Sequence, residues 1–188
     1  MKKHLFSLFF MCIALLLASS CQPPETNSEV AAIKPYFDIK GYFTNQIKQL
    51  EAQKTSLIKT AFLNDKQETK TLSHLNWQDE FALFINSDIN RIAWINSYST
   101  DSCNQITQKH IDYKSLDPDL RTQEIHVWLD IATQQLDSLS VRNKVKNVFY
   151  TLDEKLYFSP SKGYIINAIQ KARFTPPDTM QITGQFGK

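Results

Sequence analysis

The sequence predicts an α+β fold: an antiparallel β meander forming a curved sheet, an N-terminal amphipathic helix, and two short helices after the first hairpin. Two features of the chain lead to this prediction. An apolar stripe with helical spacing begins near Pro35, and the C-terminal half consists of β-rich segments separated by short polar turns. Strands joined by such turns pair as antiparallel neighbours. We therefore expect residues 35–188 to form one domain.

The first predicted helix follows Pro35, which suits the first turn of a helix because its missing N–H has no partner there. The apolar residues then recur every three or four positions: Tyr36, Ile39, Phe43, Ile47 and Leu50. The opposite face is not strongly basic. Packing against the domain is therefore favoured over an interfacial helix on lipid.

A hairpin and two short helices are predicted next. Segments 55–63 and 68–72 flank a turn at residues 64–67. Asn76 and Asp79 form a helix-start signal. The apolar stripe of this first short helix consists of Trp77, Phe81, Phe84 and Ile85. The second short helix is expected over residues 88–95, with its isoleucines packed inside: Ile89, Ile92 and Ile95.

The C-terminal half predicts strands and turns. In segment 124–131, one face carries Ile125, Val127, Leu129 and Ile131, and the other carries Glu124, His126, Trp128 and Asp130. A long extended segment is expected over 137–152, followed by turns at 153–155 and 160–163. Pro176 and Pro177 interrupt the chain before the last strand.

The N-terminus has the three-part order of a secretory signal peptide. Lys2 and Lys3 are basic, residues 5–17 are apolar apart from Ser7, and residues 18–20 are small. The apolar stretch is about 13 residues long, which is short for crossing a hydrocarbon core of about 30 Å. The sequence therefore predicts a cleaved signal over residues 1–20.

Residues Leu17-Ala18-Ser19-Ser20-Cys21 resemble the lipobox of bacterial lipoproteins, in a relaxed form with Ala18 at the usual leucine position. The resemblance implies that the Cys21 thiol receives a diacylglycerol, that the chain is cut before it, and that the new N-terminus is acylated, as with palmitate. It also implies a bacterial cell envelope, with the outer membrane favoured and the domain in the periplasm or at the cell surface. The competing hypothesis is an ordinary cleavage site beside a chance cysteine.

Cleavage changes the charge and the cysteine count. Of the 21 basic residues, Lys2 and Lys3 are lost, which leaves 19 basic and 19 acidic residues. A neutral chain gives no general basic field for nucleic acid. Cys103 is the one cysteine left besides Cys21, so no intramolecular disulfide is expected. Residues 21–34, which carry Pro23 and Pro24, are expected to form a flexible tether.

The sequence contains few of the known motifs for catalysis or cofactor binding. The four glycines form no phosphate-binding loop, dinucleotide fingerprint or nucleophile turn, and no cofactor is expected. The mature histidines are predicted to be scattered surface residues: His74, His110 and His126. We therefore expect neither a metal site nor a calcium loop at Asp117–Asp119.

Cys103 and Trp128 are the remaining candidates. Residues 101–104, Asp-Ser-Cys-Asn, depart from the Asp-Cys-Ser-Gly signature of cell-wall cysteine peptidases, so Cys103 is expected to be an ordinary thiol and no catalytic residue is assigned. Trp128 lies on the polar side of its strand. It is expected either to be buried beneath the amphipathic helix or to belong to a ligand-binding surface.

We therefore expect a non-enzymatic lipoprotein, attached to the membrane through acyl chains on Cys21, that binds another envelope protein or an apolar ligand. The predicted helix on a curved sheet resembles, in architecture alone, the half-barrel carriers of lipoprotein localisation. The alternative is a small cell-envelope hydrolase of the cysteine-peptidase kind. The ligand, the leaflet and the oligomeric state are not indicated by the sequence.

Overall fold

The computed structural model describes residues 34–64 and 66–187, and in this part of the chain nine strands form one antiparallel sheet. The strands are β1 (Leu57–Leu63), β2 (Lys66–Leu72), β3 (Tyr98–Asn104), β4 (Gln108–Ser115), β5 (Thr122–Asp130), β6 (Leu136–Lys146), β7 (Tyr150–Ser159), β8 (Gly163–Ala172) and β9 (Asp178–Phe186). Their order is β2-β1-β9-β8-β7-β6-β5-β4-β3. A β-rich α+β fold is thus confirmed.

Strands β3 to β9 follow one another across the sheet as a meander, and the β1–β2 hairpin joins beyond β9. β1 pairs with β9, which places Leu57 opposite Phe186 and Leu63 opposite Met180. This pairing joins residues far apart in the sequence, and it leaves β2 and β3 as the two edge strands.

Helix α1 (Ile39–Ala52) is the amphipathic helix predicted after Pro35. The side chain of the N-cap residue Asp38 accepts a hydrogen bond from the backbone N–H of Gly41. It thereby satisfies one of the donors that a helix start leaves free. The buried side chains of α1 are four of the five predicted ones: Ile39, Phe43, Ile47 and Leu50. Tyr36, the fifth, is buried just before the helix.

Two short helices follow the first hairpin, α2 (Trp77–Glu80) and α3 (Ala82–Ile85). The side chain of Asn76 caps α2 by accepting a hydrogen bond from the backbone N–H of Gln78. Both helices lie within the segment predicted as the first short helix, which is divided at Phe81.

The helix predicted over residues 88–95 is wrong, because only a 3₁₀ turn forms there, at Ile92–Trp94. Ile92 is 90% exposed instead of packed, although Ile89 is fully buried. The Asp88 carboxylate accepts hydrogen bonds from the backbone N–H groups of Lys40 and Asn90. Such side-chain contacts to the backbone compete with helix formation.

Aromatic side chains fill the space between the helices and the sheet. The ring of Phe43 lies 4.9 Å from that of Phe81, 5.0 Å from Phe84 and 4.8 Å from Phe158, measured between centroids. All four side chains are fully buried. The helix layer and the sheet therefore share one packed hydrophobic core.

The predicted turn at Asp153-Glu154-Lys155 is also wrong, because these residues lie inside β7 and the chain reverses at residues 147–149. Glu154 is only 6% exposed. Its carboxylate accepts a hydrogen bond of 2.8 Å from the Arg121 guanidinium. Glu154 belongs to a charged segment that resembles a turn in the sequence. Its burial inside the sheet is tolerated because its carboxylate is paired with Arg121.

The two faces of the sheet differ. Strand residues on one face join the core with the helices, for example Val127, Val141 and Leu156. The opposite face, which we call the open face, is not covered by any element within residues 34–64 and 66–187. Tyr157 and Ile165 are register partners on this face, and they are 37% and 36% exposed.

The predicted signal peptide, Cys21 and the tether up to residue 33 lie outside the described residues. Across residues 34–64 and 66–187, no helix combines the length and the apolar character needed to span a membrane.

The aromatic core predicts a large effect of truncating Phe43. Phe43→Ala should lower the free energy of unfolding by about 3–5 kcal/mol, because it removes contacts to three buried rings and leaves a cavity. Phe149→Ala is the control, since Phe149 is 77% exposed and should change stability little. Urea unfolding of the mature protein measures both. Equal small losses would contradict the core described above.

Candidate functional site

A cluster of polar and aromatic side chains lies on the open face where β4 pairs with β5. His110 is directly opposite Trp128, and Asp112 is directly opposite His126. Directly opposite residues of an antiparallel pair project from the same face of the sheet. We call these four residues the histidine cluster.

The three rings of the histidine cluster stack on one another. The His110 ring lies 4.7 Å from the Trp128 ring with an interplanar angle of 9°. The His126 ring lies 5.9 Å from both His110 and Trp128, at 22° and 30°. Stacking of this kind limits ring rotation and holds the two imidazoles at fixed positions relative to each other.

Asp112 lies between the two imidazoles. Its Oδ1 atom is in hydrogen-bond contact with Nδ1 of His126 and lies 2.9 Å from Nε2 of His110. The side chains are partly exposed: 19% for His110, 38% for Asp112 and 36% for His126. One carboxylate oxygen thus faces nitrogen atoms of two different rings.

The Nε2 atom of His110 is buried and has no hydrogen-bond partner. The separation of 2.9 Å from Asp112 is short enough for a hydrogen bond, but the alignment of the two groups does not meet hydrogen-bond geometry. A buried polar atom without a partner costs free energy, and such atoms are rare in folded proteins. This atom is therefore the most unusual feature of the cluster.

Further charged groups continue from the cluster along the open face. Glu124 lies 3.9 Å from Nε2 of His126 and 3.7 Å from Arg142. Arg142 also donates a hydrogen bond of 2.8 Å to Asp153. This bond lowers the pKa of Asp153 and raises that of Arg142, because it stabilises both charged forms. Acidic and basic groups therefore alternate beside the histidines.

Cys103 lies on the edge strand β3 as the register partner of His110, and its thiol is free and exposed. A cysteine nucleophile needs its base within hydrogen-bond reach. The Nε2 atom of His110 faces Asp112 instead.

A second surface feature is a cleft of about 490 Å³ between α1 and the turns that end β5 and β7. Its lining is rich in carboxamides and includes Tyr42, Asn45, Gln49, Gln134 and Gln135. The cleft is open at the surface and lies outside the aromatic core. It offers hydrogen-bonding groups for a polar ligand.

The structure corrects two expectations about the site residues. Trp128 is not buried beneath α1, because it lies on the opposite face of the sheet and stacks on His110. The histidines are not all scattered, since His110 and His126 are neighbours. One nitrogen of each imidazole and one oxygen of the Asp112 carboxylate lie within 4.8 Å of one another, so the three residues could hold a metal ion.

The sequence analysis named His110 but did not place it beside Asp112 and His126, because it did not predict β3 and β4. The signal was present in residues 109–113, where Ile111 and Tyr113 alternate with the two polar residues. The lipidation residue Cys21 lies outside the described residues.

No protein-family model matches this chain, and no curated protein or solved structure is significantly similar to it. Inference about its function therefore depends on its own residues.

Stacking in the histidine cluster predicts an energetic coupling between His110 and Trp128. In a double-mutant cycle of His110→Ala and Trp128→Ala, we expect a coupling of about 0.5–1.5 kcal/mol in unfolding free energy. Lys70 on the far edge strand β2 supplies the control, because a Lys70→Ala/Trp128→Ala cycle should be additive within about 0.5 kcal/mol. Additivity in both cycles would refute the stacking.

Proposed function

We propose that this protein is a lipid-anchored component of the bacterial cell envelope whose folded domain is a non-enzymatic binding module. Acyl chains on Cys21 attach it to the membrane, with the outer membrane favoured. The open face of the sheet binds another envelope protein.

The anchor is supported by the sequence of the N-terminus. Residues 17–21 combine small residues with a cysteine directly after an apolar stretch that has the order of a signal peptide. The mature chain is electrically neutral, so it lacks a general attraction to anionic lipids. Acyl chains are therefore the proposed source of membrane affinity, and two or more are needed for stable attachment.

The filled aromatic core is the observation that carries the proposal of binding at the surface. A lipid carrier needs an apolar cavity large enough for acyl chains. Here the space between α1 and the sheet is occupied by four buried phenylalanine rings with close centroid distances. This packing disfavours an apolar ligand held inside. The predicted curvature of the sheet was part of the carrier hypothesis, and it remains a prediction.

The open face supports a protein as the partner. A row of register partners crosses it from the histidine cluster: His126, Ser140, Tyr157, Ile165 and Thr183. Half-exposed aromatic and aliphatic side chains beside polar groups are typical of the centre and rim of a protein interface.

The hydrolase alternative has weaker support. Cys103 is exposed on an edge strand, and its register partner His110 directs Nε2 towards Asp112. A thiol needs a base within hydrogen-bond reach to act as a nucleophile in peptide or glycan chemistry.

The anchor predicts that Cys21→Ala moves the protein from the membrane fraction to the soluble envelope fraction. Loss of the thiol removes the site of acylation, and the acyl chains supply the affinity. Cys103→Ala is the matched control and should sediment with membranes like the wild type. Sedimentation with membranes of a Cys21 variant from which residues 1–20 have been cleaved would show that the lipobox hypothesis is wrong. As a second readout, labelled palmitate should be incorporated into the wild type and into Cys103→Ala, but not into Cys21→Ala.

Binding at the open face predicts a site-specific cross-link. A photoreactive residue at Ile165 in living cells should give one discrete adduct with an envelope protein, and the same residue at the exposed position Lys48 of α1 should give none. Tyr157→Glu, beside Ile165 in the register, should reduce the adduct at least about tenfold by burying a charge in the interface.

Two results would contradict binding of a protein at this face. One is an equal set of adducts from Lys48 and Ile165. The other is a lipid retained by the membrane-purified protein in native mass spectrometry, in addition to its covalent acyl chains, which would favour a carrier.

A further inference from the structure

We propose that His110, Asp112 and His126 bind one divalent transition-metal ion, for which Zn²⁺ is the reference ion. The site goes beyond the function proposed above. It depends on the pairing of β4 with β5 and requires neither lipid attachment nor a protein partner.

The three residues supply a suitable set of ligand atoms. One nitrogen from each imidazole and one carboxylate oxygen all lie within 4.8 Å of one another. Zn²⁺ binds such atoms at about 2.0–2.2 Å in a tetrahedron, which sets the ligands roughly 3.3 Å apart. Small side-chain rotations therefore suffice to bring the three atoms into coordination. Imidazole and carboxylate together favour zinc, copper and nickel over Mg²⁺ and Ca²⁺, which prefer oxygen ligands.

The unpartnered nitrogen of His110 is a second observation. Nε2 of His110 is buried and makes no hydrogen bond, although it faces the Asp112 carboxylate. A metal ion between them would accept the lone pair of this nitrogen and one of Asp112 Oδ1. The nitrogen would thereby gain an aligned partner, which the 2.9 Å contact with Asp112 does not provide.

Residues next to the three ligands favour metal binding by limiting the movement of the imidazole rings. Trp128 stacks on His110 at 9° and on His126 at 30°, which restricts both rings. Glu124 lies 3.9 Å from Nε2 of His126, on the side of the ring away from Asp112. A carboxylate hydrogen-bonded to the second ring nitrogen fixes the tautomer in which Nδ1 binds the metal, and a movement of about 1 Å would bring Glu124 into that contact.

A metal ion bound by these three residues would have one tetrahedral position left for water. Cys103 is not among the three residues, although it is the register partner of His110. Its thiol is exposed on the edge strand. Three protein ligands with one open position is a known arrangement for zinc.

The test is a Zn²⁺ titration of the mature protein, purified from membranes in detergent without a polyhistidine tag and dialysed against a chelator. Isothermal calorimetry should show one Zn²⁺ per chain, and excess Mg²⁺ should not compete. His110→Ala, Asp112→Asn and His126→Ala should each weaken binding by at least about tenfold. Asp112→Asn is nearly isosteric, so its far-ultraviolet circular dichroism should match the wild type.

Two controls separate this site from general binding to histidines and thiols. His74→Ala removes an exposed histidine far along the chain, and Cys103→Ser removes the neighbouring thiol. Both should bind Zn²⁺ like the wild type. Thermal unfolding gives a second readout, because Zn²⁺ should raise the midpoint of the wild type and of both controls, but not of Asp112→Asn.

The proposal is overturned if no stoichiometric binding occurs, or if the three cluster variants retain wild-type affinity. It is also overturned if His74→Ala or Cys103→Ser causes a comparable loss. In the first two cases the cluster is an ordinary set of hydrogen-bonded and stacked side chains. None of these results affects the outcomes expected for Cys21→Ala or for the cross-link at Ile165, so the two proposals can fail separately.

Discussion

The packing of Phe43 on the rings of Phe81, Phe84 and Phe158 connects α1, the short helices and the sheet. Phe43 is fully buried, and the rings around it come from two separate parts of the chain, the segment of the short helices and β7. Successive strand residues point to opposite faces of the sheet. When the residues of one face pack against these rings, the residues between them must therefore lie on the other face. The open face and its side chains therefore depend on this aromatic contact.

The histidine cluster is a direct result of that constraint. Val127 is buried against the core, so His126 and Trp128 on either side of it project from the open face. The same alternation applies to β4, where buried Tyr113 places Asp112 opposite to the core. The register of β4 with β5 then brings the two strands' polar residues together in pairs. A slip of one residue would direct these side chains into the core, so the aromatic packing also protects the cluster.

Where the domain is held and what it binds there are separate questions for this protein. The acyl anchor proposed at Cys21 concerns where the domain is held, whereas the open face concerns what the domain contacts there. A metal ion at His110, Asp112 and His126 would lie on the same face as the proposed protein interface, in the row that continues to Tyr157 and Ile165. Filled packing inside the domain supports both proposals, because it leaves the surface as the place for binding.

Much of the fold was predictable from local patterns in the sequence. The spacing of Ile39, Phe43, Ile47 and Leu50 predicts α1, and the alternation of Ile125, Val127 and Leu129 predicts β5. The prediction of a turn at Asp153-Glu154-Lys155 was wrong, because it rested on local charge alone. The pairing of Glu154 with Arg121, which is remote in sequence, keeps this segment inside β7. Residues 88–95 likewise resemble a helix, but contacts of Asp88 with the backbone prevent it.

The sequence by itself determined the class of fold, the amphipathic helix and the face of β5 that carries Trp128, because these follow from the period of apolar residues along one segment. Only the tertiary structure decided that Trp128 stacks on His110, and that Asp112 lies between two histidines. The physical reason is that these contacts join β4 to β5. Their register is set by packing across the whole sheet, and no pattern within either strand contains it.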